Sequence, residues 1–142
     1  MSIDIQAGLP LGDVEKFTTL NSGLNFTYLF KEFSDNFYLG ARSGVSLYSN
    51  PFKNKIDPFV DQSIYFANLA LVARYDFNEH LFARLDVGYS YEIDGDHFGG
   101  FFYEPRIGYS IKNVETFMYF QHIIIDEDVL PMAVGLGVGY RF

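Results

Sequence analysis

The stretch Met132-Ala133-Val134-Gly135-Leu136-Gly137-Val138-Gly139-Tyr140-Arg141-Phe142 decides the reading of the whole chain. Taken two residues at a time, Met132, Val134, Leu136, Val138, Tyr140 and Phe142 share one face, all of them apolar or aromatic. Ala133, Gly135, Gly137, Gly139 and Arg141 share the other, which is mostly glycine with one cation. A helix, with its 3.6-residue period, would mix the two sets, and glycines at alternate positions would weaken it. Period two predicts a β-strand with two unlike faces.

Seven further segments repeat the pattern. Ile3, Ile5, Ala7, Leu9 and Leu11 alternate with Asp4, Gln6, Gly8 and Pro10. Leu24, Phe26, Tyr28 and Phe30 alternate with Asn25, Thr27 and Leu29. The third segment sets Phe37, Leu39, Ala41, Val45 and Leu47 against Tyr38, Gly40, Arg42, Gly44 and Ser46. The fourth sets Tyr65, Leu69, Leu71, Ala73 and Tyr75 against Asn68, Ala70, Val72 and Arg74. In the fifth, Leu81, Ala83, Leu85, Val87 and Tyr89 oppose Arg84, Asp86, Gly88 and Ser90, and in the sixth, Phe101, Tyr103, Ile107 and Tyr109 oppose Glu104, Arg106, Gly108 and Ser110. The seventh, Val114 to Ile124, is ambiguous, because Phe117 and Tyr119 share a face with Glu115 and Gln121. Pro105 has no N–H to give a ladder and predicts a bulge or local break, and Pro10 raises the same question near the end of the first segment.

The links between segments alternate in length. Lys31 to Asn36, Phe77 to Glu79 and Lys112-Asn113 are short; Gly12 to Ser22 and Ser49 to Gln62 are longer, with Glu92 to His97 and Asp126 to Pro131 intermediate. That alternation predicts an all-β fold, an eight-stranded antiparallel up-and-down barrel, as one domain over residues 1–142.

Composition narrows the function classes. The absence of Cys excludes disulfides, thiolate metal sites and thiol catalysis. Lys plus Arg number 10 against 18 Asp plus Glu, a net charge of −8, which argues against a nucleic-acid partner. Apolar residues at 49% exceed what a disordered chain carries. No apolar run reaches the ~18 residues of a membrane helix. Met1-Ser2-Ile3-Asp4-Ile5 lacks the basic start and continuous apolar stretch of a signal peptide, and is read as the start of a mature chain with an added Met.

Charge placement separates two kinds of barrel. Arg42, Arg74, Arg84, Arg106 and Arg141 all fall on the small, polar face of a segment, whereas every Lys lies in or beside a link. A soluble ligand-binding barrel turns its apolar face inward; here the glycine and ion face fits inside, because an eight-stranded lumen is just wide enough for side chains to fill. The expected lumen network is Arg42, Arg74, Arg84, Asp86, Glu104, Arg106 and Arg141, with Asp4 and Glu115 as further partners. Its core is set by cross-strand pairing of Arg84 and Asp86 with Glu104 and Arg106. The apolar face then meets lipid, since it is too large a patch for a soluble monomer. Aromatic residues near both ends of the segments match the girdles of a transmembrane β-barrel.

The terminal residues also carry a resemblance. Phe142, preceded at alternate positions by Tyr140, Val138 and Leu136, resembles the C-terminal assembly signal of bacterial outer-membrane barrels, and Arg74-Tyr75-Asp76-Phe77-Asn78-Glu79-His80 resembles a periplasmic turn of that class. Over its whole length the chain is similar to the small OmpX/Ail-like and OmpA-barrel-like proteins. The resemblance implies a Gram-negative outer membrane, insertion by the barrel-assembly machinery, both termini periplasmic, and lipid bilayer and lipopolysaccharide as surroundings. It implies no cofactor, and the expected state is a monomer.

Other candidates are weighed on their chemistry. The class holds lipid A deacylases, whose pattern needs a His two residues before a Ser near the outer leaflet. His80, His97 and His122 are the only histidines and none meets that spacing, so no catalytic residue is assigned. Glu92, Asp94 and Asp96, and Asp126, Glu127 and Asp128, could bind divalent cations at a rim, but read better as solvated loops, so no metal is assigned. Phe52, Ile56, Phe59 and Val60 in the longest link fit either an adhesion surface or packing on the rim. The expected role is non-catalytic: adhesion, host or ligand contact, or envelope support, with a narrow channel or binder for small solutes or hydrophobic ligands as the alternative and a lipid-modifying enzyme as the third reading. Deleting Phe142 should slow assembly in cells, read as folded barrel per unit time, while leaving refolding into detergent intact; equal impairment in both settings would mean that the residue acts through packing alone.

Overall fold

The structure, a computed structural model, describes residues 1–11, 20–49, 64–93, 99–124 and 132–142. It contains eight strands: β1 Ser2–Leu11, β2 Leu20–Ser34, β3 Phe37–Ser49, β4 Ile64–Asp76, β5 Leu81–Glu92, β6 Gly99–Ile111, β7 Val114–Ile124 and β8 Met132–Arg141. They close into a barrel in chain order. Every neighbouring pair is antiparallel, and β1 closes on β8 from Ser2 opposite Arg141 to Leu11 opposite Met132. Closure leaves no edge strand, so the sheet satisfies its own backbone groups. One end carries the short turns at Asp35-Asn36, 77–80 and Lys112-Asn113 together with both termini. Asn36 and Lys112 take positive φ, 68° and 56°, as tight turns require.

Alternation settles inside and outside. Leu71 is 71% exposed and Leu69 67%, while Ala70 and Val72 between and beside them are buried. Leu85, Val87 and Tyr89 are exposed, while Arg84, Asp86 and Ser90 are buried. The apolar residues thus face out and the ions face in, a reversal of a soluble protein's arrangement that leaves an apolar band only lipid or detergent can cover. Aromatic pairs mark both ends of this band: Tyr75–Phe77 and Tyr140–Phe142 near the short turns, and Tyr89–Phe101 towards the other end. No helix among the described residues is long and apolar enough to cross a membrane.

Two local expectations are refined. Pro105 makes no bulge: it stays in register opposite Leu85 on β5, and the β6–β7 ladder merely skips Glu104 and Pro105 before resuming at Arg106 opposite Tyr119. The missing N–H therefore costs a local gap and not a register change. Pro10 pairs with Ala133 on β8 but lies beyond the β1–β2 ladder, which ends at Gly8 opposite Asn21. Register irregularities occur instead in β2–β3, between Leu29 and Lys31 and between Glu32 and Ser34, beside the short turn.

The seventh segment resolves through its neighbour. Phe117 and Tyr119 point inward and are buried, and Val114, Thr116 and Met118 face out. The glycines make this possible. A side chain at Gly137 would collide with the Phe117 ring, one at Gly108 with Phe82, and one at Gly8 with the Tyr119 hydroxyl.

A cation on the outer face should therefore block insertion where an inward polar change does not. Leu71→Arg or Leu85→Arg should cost ~2–4 kcal/mol at bilayer mid-depth and prevent stable insertion into vesicles. Ala70→Ser, one position from Leu71 but facing the lumen, should insert normally; equal behaviour of the two faces would invert the assignment.

Candidate functional site

The chemically distinctive place in the molecule is its lumen, filled in layers. At its centre stand three guanidiniums and three carboxylates, all buried. Arg42 of β3 reaches across the lumen and donates through Nη1 to Asp86 Oδ2 at 2.6 Å and to Glu104 Oε2 at 2.7 Å. Its Nε donates to Asn25 Oδ1 at 3.0 Å. Arg84 grips Asp86 on its own strand with two bonds, Nε to Oδ1 at 2.6 Å and Nη2 to Oδ2 at 2.8 Å, and also reaches Thr27. Arg106 does the same on β6, with Nε 2.7 Å from Glu104 Oε2, and adds Asp4 at 3.2 Å and Gln6 at 3.0 Å.

Amides take up the remaining valence. Gln6 and Gln121 both donate to Glu104 Oε1, at 3.2 and 3.0 Å, and Asn25 donates to Asp4 Oδ1 at 2.8 Å. A buried ion pair offsets its desolvation only when such additional bonds satisfy it, and here each charge has several.

The register shows how these charges are arranged. Arg84 stands directly opposite Arg106, and Asp86 directly opposite Glu104. Nearest cross-strand neighbours are therefore alike, contrary to the expected pairing of opposites, and the diagonal Arg106–Asp86 separation is 4.0 Å. Relief comes from Arg42, which lies between the two facing carboxylates, and from Asp4, which faces Arg106.

The other two arginines stand apart. Arg74 forms its own cluster near the short turns, 2.8 Å from Asp76 and 2.5 Å from Glu115, with its guanidinium 4.1 Å from the centroid of Phe82. Arg141, expected in the network, makes no ion pair among the described residues; it lies on the last residue of β8, below the level of the central charges. Period two assigns a residue to a face and says nothing of its depth.

Packing closes the rest. Between the Arg74 cluster and the central charges lie Phe82 and Phe117, and Arg106 sits over the Phe117 ring at 4.3 Å. On the far side, a neutral layer links Ser90 to Asn68 at 2.5 Å and Asn68 to Ser46 at 2.7 Å, and Tyr119 donates to Asn21. Phe66, Ala70, Phe102, Ile123 and Ala133 form an apolar plug beneath the long-link end. A void of about 10 Å³ lined by Asp4, Arg84, Arg106 and Glu115 has room for at most one water.

The remaining candidates divide by location. His80, in a short turn, donates from Nδ1 to the Ser110 carbonyl at 2.9 Å and stacks on Tyr109. His122 faces outward on β7 near the long-link end, with Nδ1 2.9 Å from the Tyr103 hydroxyl, and the residue two positions on is Ile124. Its Nε2 is buried without a hydrogen-bond partner. His97, Asp94, Asp96, Asp126, Glu127, Asp128 and the link containing Phe52, Ile56, Phe59 and Val60 lie outside the described residues. No group of three or more metal-ligating side chains occurs among the described residues.

No protein-family model and no curated protein matches the sequence. Solved structures do match over the full chain. The outer-membrane enzyme PagL is similar with a TM-score of 0.69 at 9% identity, covering 100% of both chains. The outer-membrane protein Ail of Yersinia pestis in a phospholipid nanodisc gives 0.62 at 16%, covering 99% of both. The N-terminal β-barrel domain of Pseudomonas aeruginosa OprF gives 0.59 at 16%, covering 99% of this chain and 97% of that one. The chain therefore has the eight-stranded fold of small outer-membrane barrels.

The network makes a quantitative prediction. Asp86→Asn or Arg42→Met alone should each destabilise the barrel by about 3–5 kcal/mol, because each leaves buried charge uncompensated. The double variant should cost less than the sum by about 0.5–3 kcal/mol, measured by urea unfolding in lipid. Asp86 with Arg106, at 4.0 Å, should couple more weakly.

Proposed function

We propose that this chain is an integral protein of a Gram-negative outer membrane with a non-catalytic surface role: adhesion, ligand contact or envelope support. The observation that carries the reading is the combination of an apolar exterior with a lumen filled layer by layer. An exterior of this kind belongs in a bilayer. A lumen filled by the described residues leaves little room among them for a solute or a reaction, which favours a function at the barrel's ends. Among the similar structures, Ail is described as an attachment invasion locus protein, which fits this class of role.

Enzymatic function is the second reading, favoured by one comparison and one contact. PagL, an enzyme, shares the fold, and His122 with Tyr103 forms a polar pair on the outward face towards the long-link end. Against it, Ile124 occupies the position at which the deacylase pattern requires Ser.

Two measurements separate these readings. Wild-type protein in planar bilayers should carry no steady ionic current, since Arg42, Phe102 and Phe117 occupy the lumen's cross-section; a large steady current would favour the channel. Mass spectrometry of lipids from expressing cells should show no new lipid species; a deacylated product lost on His122→Ala would overturn the non-catalytic role.

A further inference from the structure

The outer face is not uniformly convex. A groove of about 670 Å³ crosses it from β6 over β7 and β8 to β1, in the half of the barrel nearer the short turns. Met118, Leu136 and Val138 wall it, Ala7 and Thr116 are the small outward residues that give it depth, and Tyr109 stands at its lower lip. Its size falls in the ~300–1,000 Å³ range of small-molecule sites. The lining makes no polar demand, because the one hydroxyl on its floor, that of Thr116, is already directed at the Tyr109 carbonyl at 3.4 Å.

Below the lip the chemistry changes. His80 is held against the Tyr109 ring, 5.2 Å between centroids at 21°, by its Nδ1 bond to the Ser110 carbonyl. This leaves Nε2 as the nitrogen free to face a ligand. Lys112 is exposed at the β6–β7 turn. Its ammonium has no ion pair among the described residues. Of the nearby carboxylates, Glu115 and Asp76 are held by Arg74, and Glu79 beside His80 is the acid left exposed.

We propose that this groove holds one phospholipid of the leaflet at the short-turn end, with an acyl chain laid over Ala7 and Thr116 and the phosphate at Lys112 and His80. The proposal rests on the reading that the barrel spans a bilayer. Apolar groove and cationic lip follow one another along the membrane normal in the order that acyl chain and phosphate do in a lipid. A second copy of the chain fits less well: a two-fold interface over this groove would bring one Lys112 towards its equivalent, like against like.

The test uses wild-type protein refolded into vesicles of phosphatidylethanolamine and phosphatidylglycerol, extracted into mild detergent and weighed by native mass spectrometry. The wild type should retain one phospholipid. Thr116→Phe, which fills the groove with a residue suited to a lipid-facing strand, and Lys112→Glu, which reverses the lip, should each lower the lipid-bound fraction about tenfold. Leu69→Phe, outside the groove, should leave it unchanged. Insertion is scored separately by protection of the strands from protease, and Ala7→Phe replaces Thr116→Phe should the latter fail to insert. Equal retention in all inserted variants, no retained lipid on an inserted wild type, or a dimer in place of a lipid adduct would overturn the proposal. A wild type that never inserts would overturn the membrane reading itself.

Discussion

Asp86 and Glu104 face each other across the β5–β6 ladder in the middle of the barrel, and both are fully buried. Two carboxylates at that spacing in a low-dielectric interior repel strongly and each carries a large desolvation cost. What holds them is Arg42, projected into the lumen from β3, two strands along from β5, with one nitrogen shared between them. Much of the interior follows from that placement. Arg84 and Arg106 flank the pair and complete three positive charges against three negative ones once Asp4 is included. Gln6, Asn25, Thr27 and Gln121 then supply the acceptors and donors that three compact ion pairs leave over.

The space for this arrangement comes from β8. Three of its inward positions are glycine, and across from them β7 turns two aromatic rings into the lumen. Phe117 lies over Gly137 and supports Arg106 from below; Tyr119 reaches past Gly8 to Asn21. Large and small residues on neighbouring strands thus interlock, and an eight-stranded barrel with ions at its centre closes with little void.

Strand number, chain order and the assignment of faces were legible because an apolar exterior and a polar interior alternate with period two in every strand but one. The exception is instructive. β7 has aromatic residues on both faces, so its own pattern cannot orient it; the glycines of β8, β1 and β6 could have, since a glycine face demands a bulky one nearby. The charge network was legible as a set and not as a geometry. Adjacent-strand reasoning foresaw Arg84 and Asp86 meeting Glu104 and Arg106, but the register puts like against like. The decisive contact spans the lumen, where distance depends on strand tilt and closure and not on sequence neighbourhood. Depth was equally hidden: Arg141 has the right face and the wrong level. The long links, where a surface function would be written, have no periodicity to read.

The opposition of like charges on β5 and β6 has a consequence for strand register. A slip of two residues preserves which face points inward. In one direction it would set Arg84 opposite Glu104, and in the other Asp86 opposite Arg106, so the cross-strand charge pairing of β5 and β6 by itself favours either slipped alignment over the native one. The native alignment is compensated by Asp4 of β1 and Arg42 of β3, which pair with these charges in the closed barrel. On charge alone the hairpin does not select its own register, and the strands that compensate it come from elsewhere in the barrel.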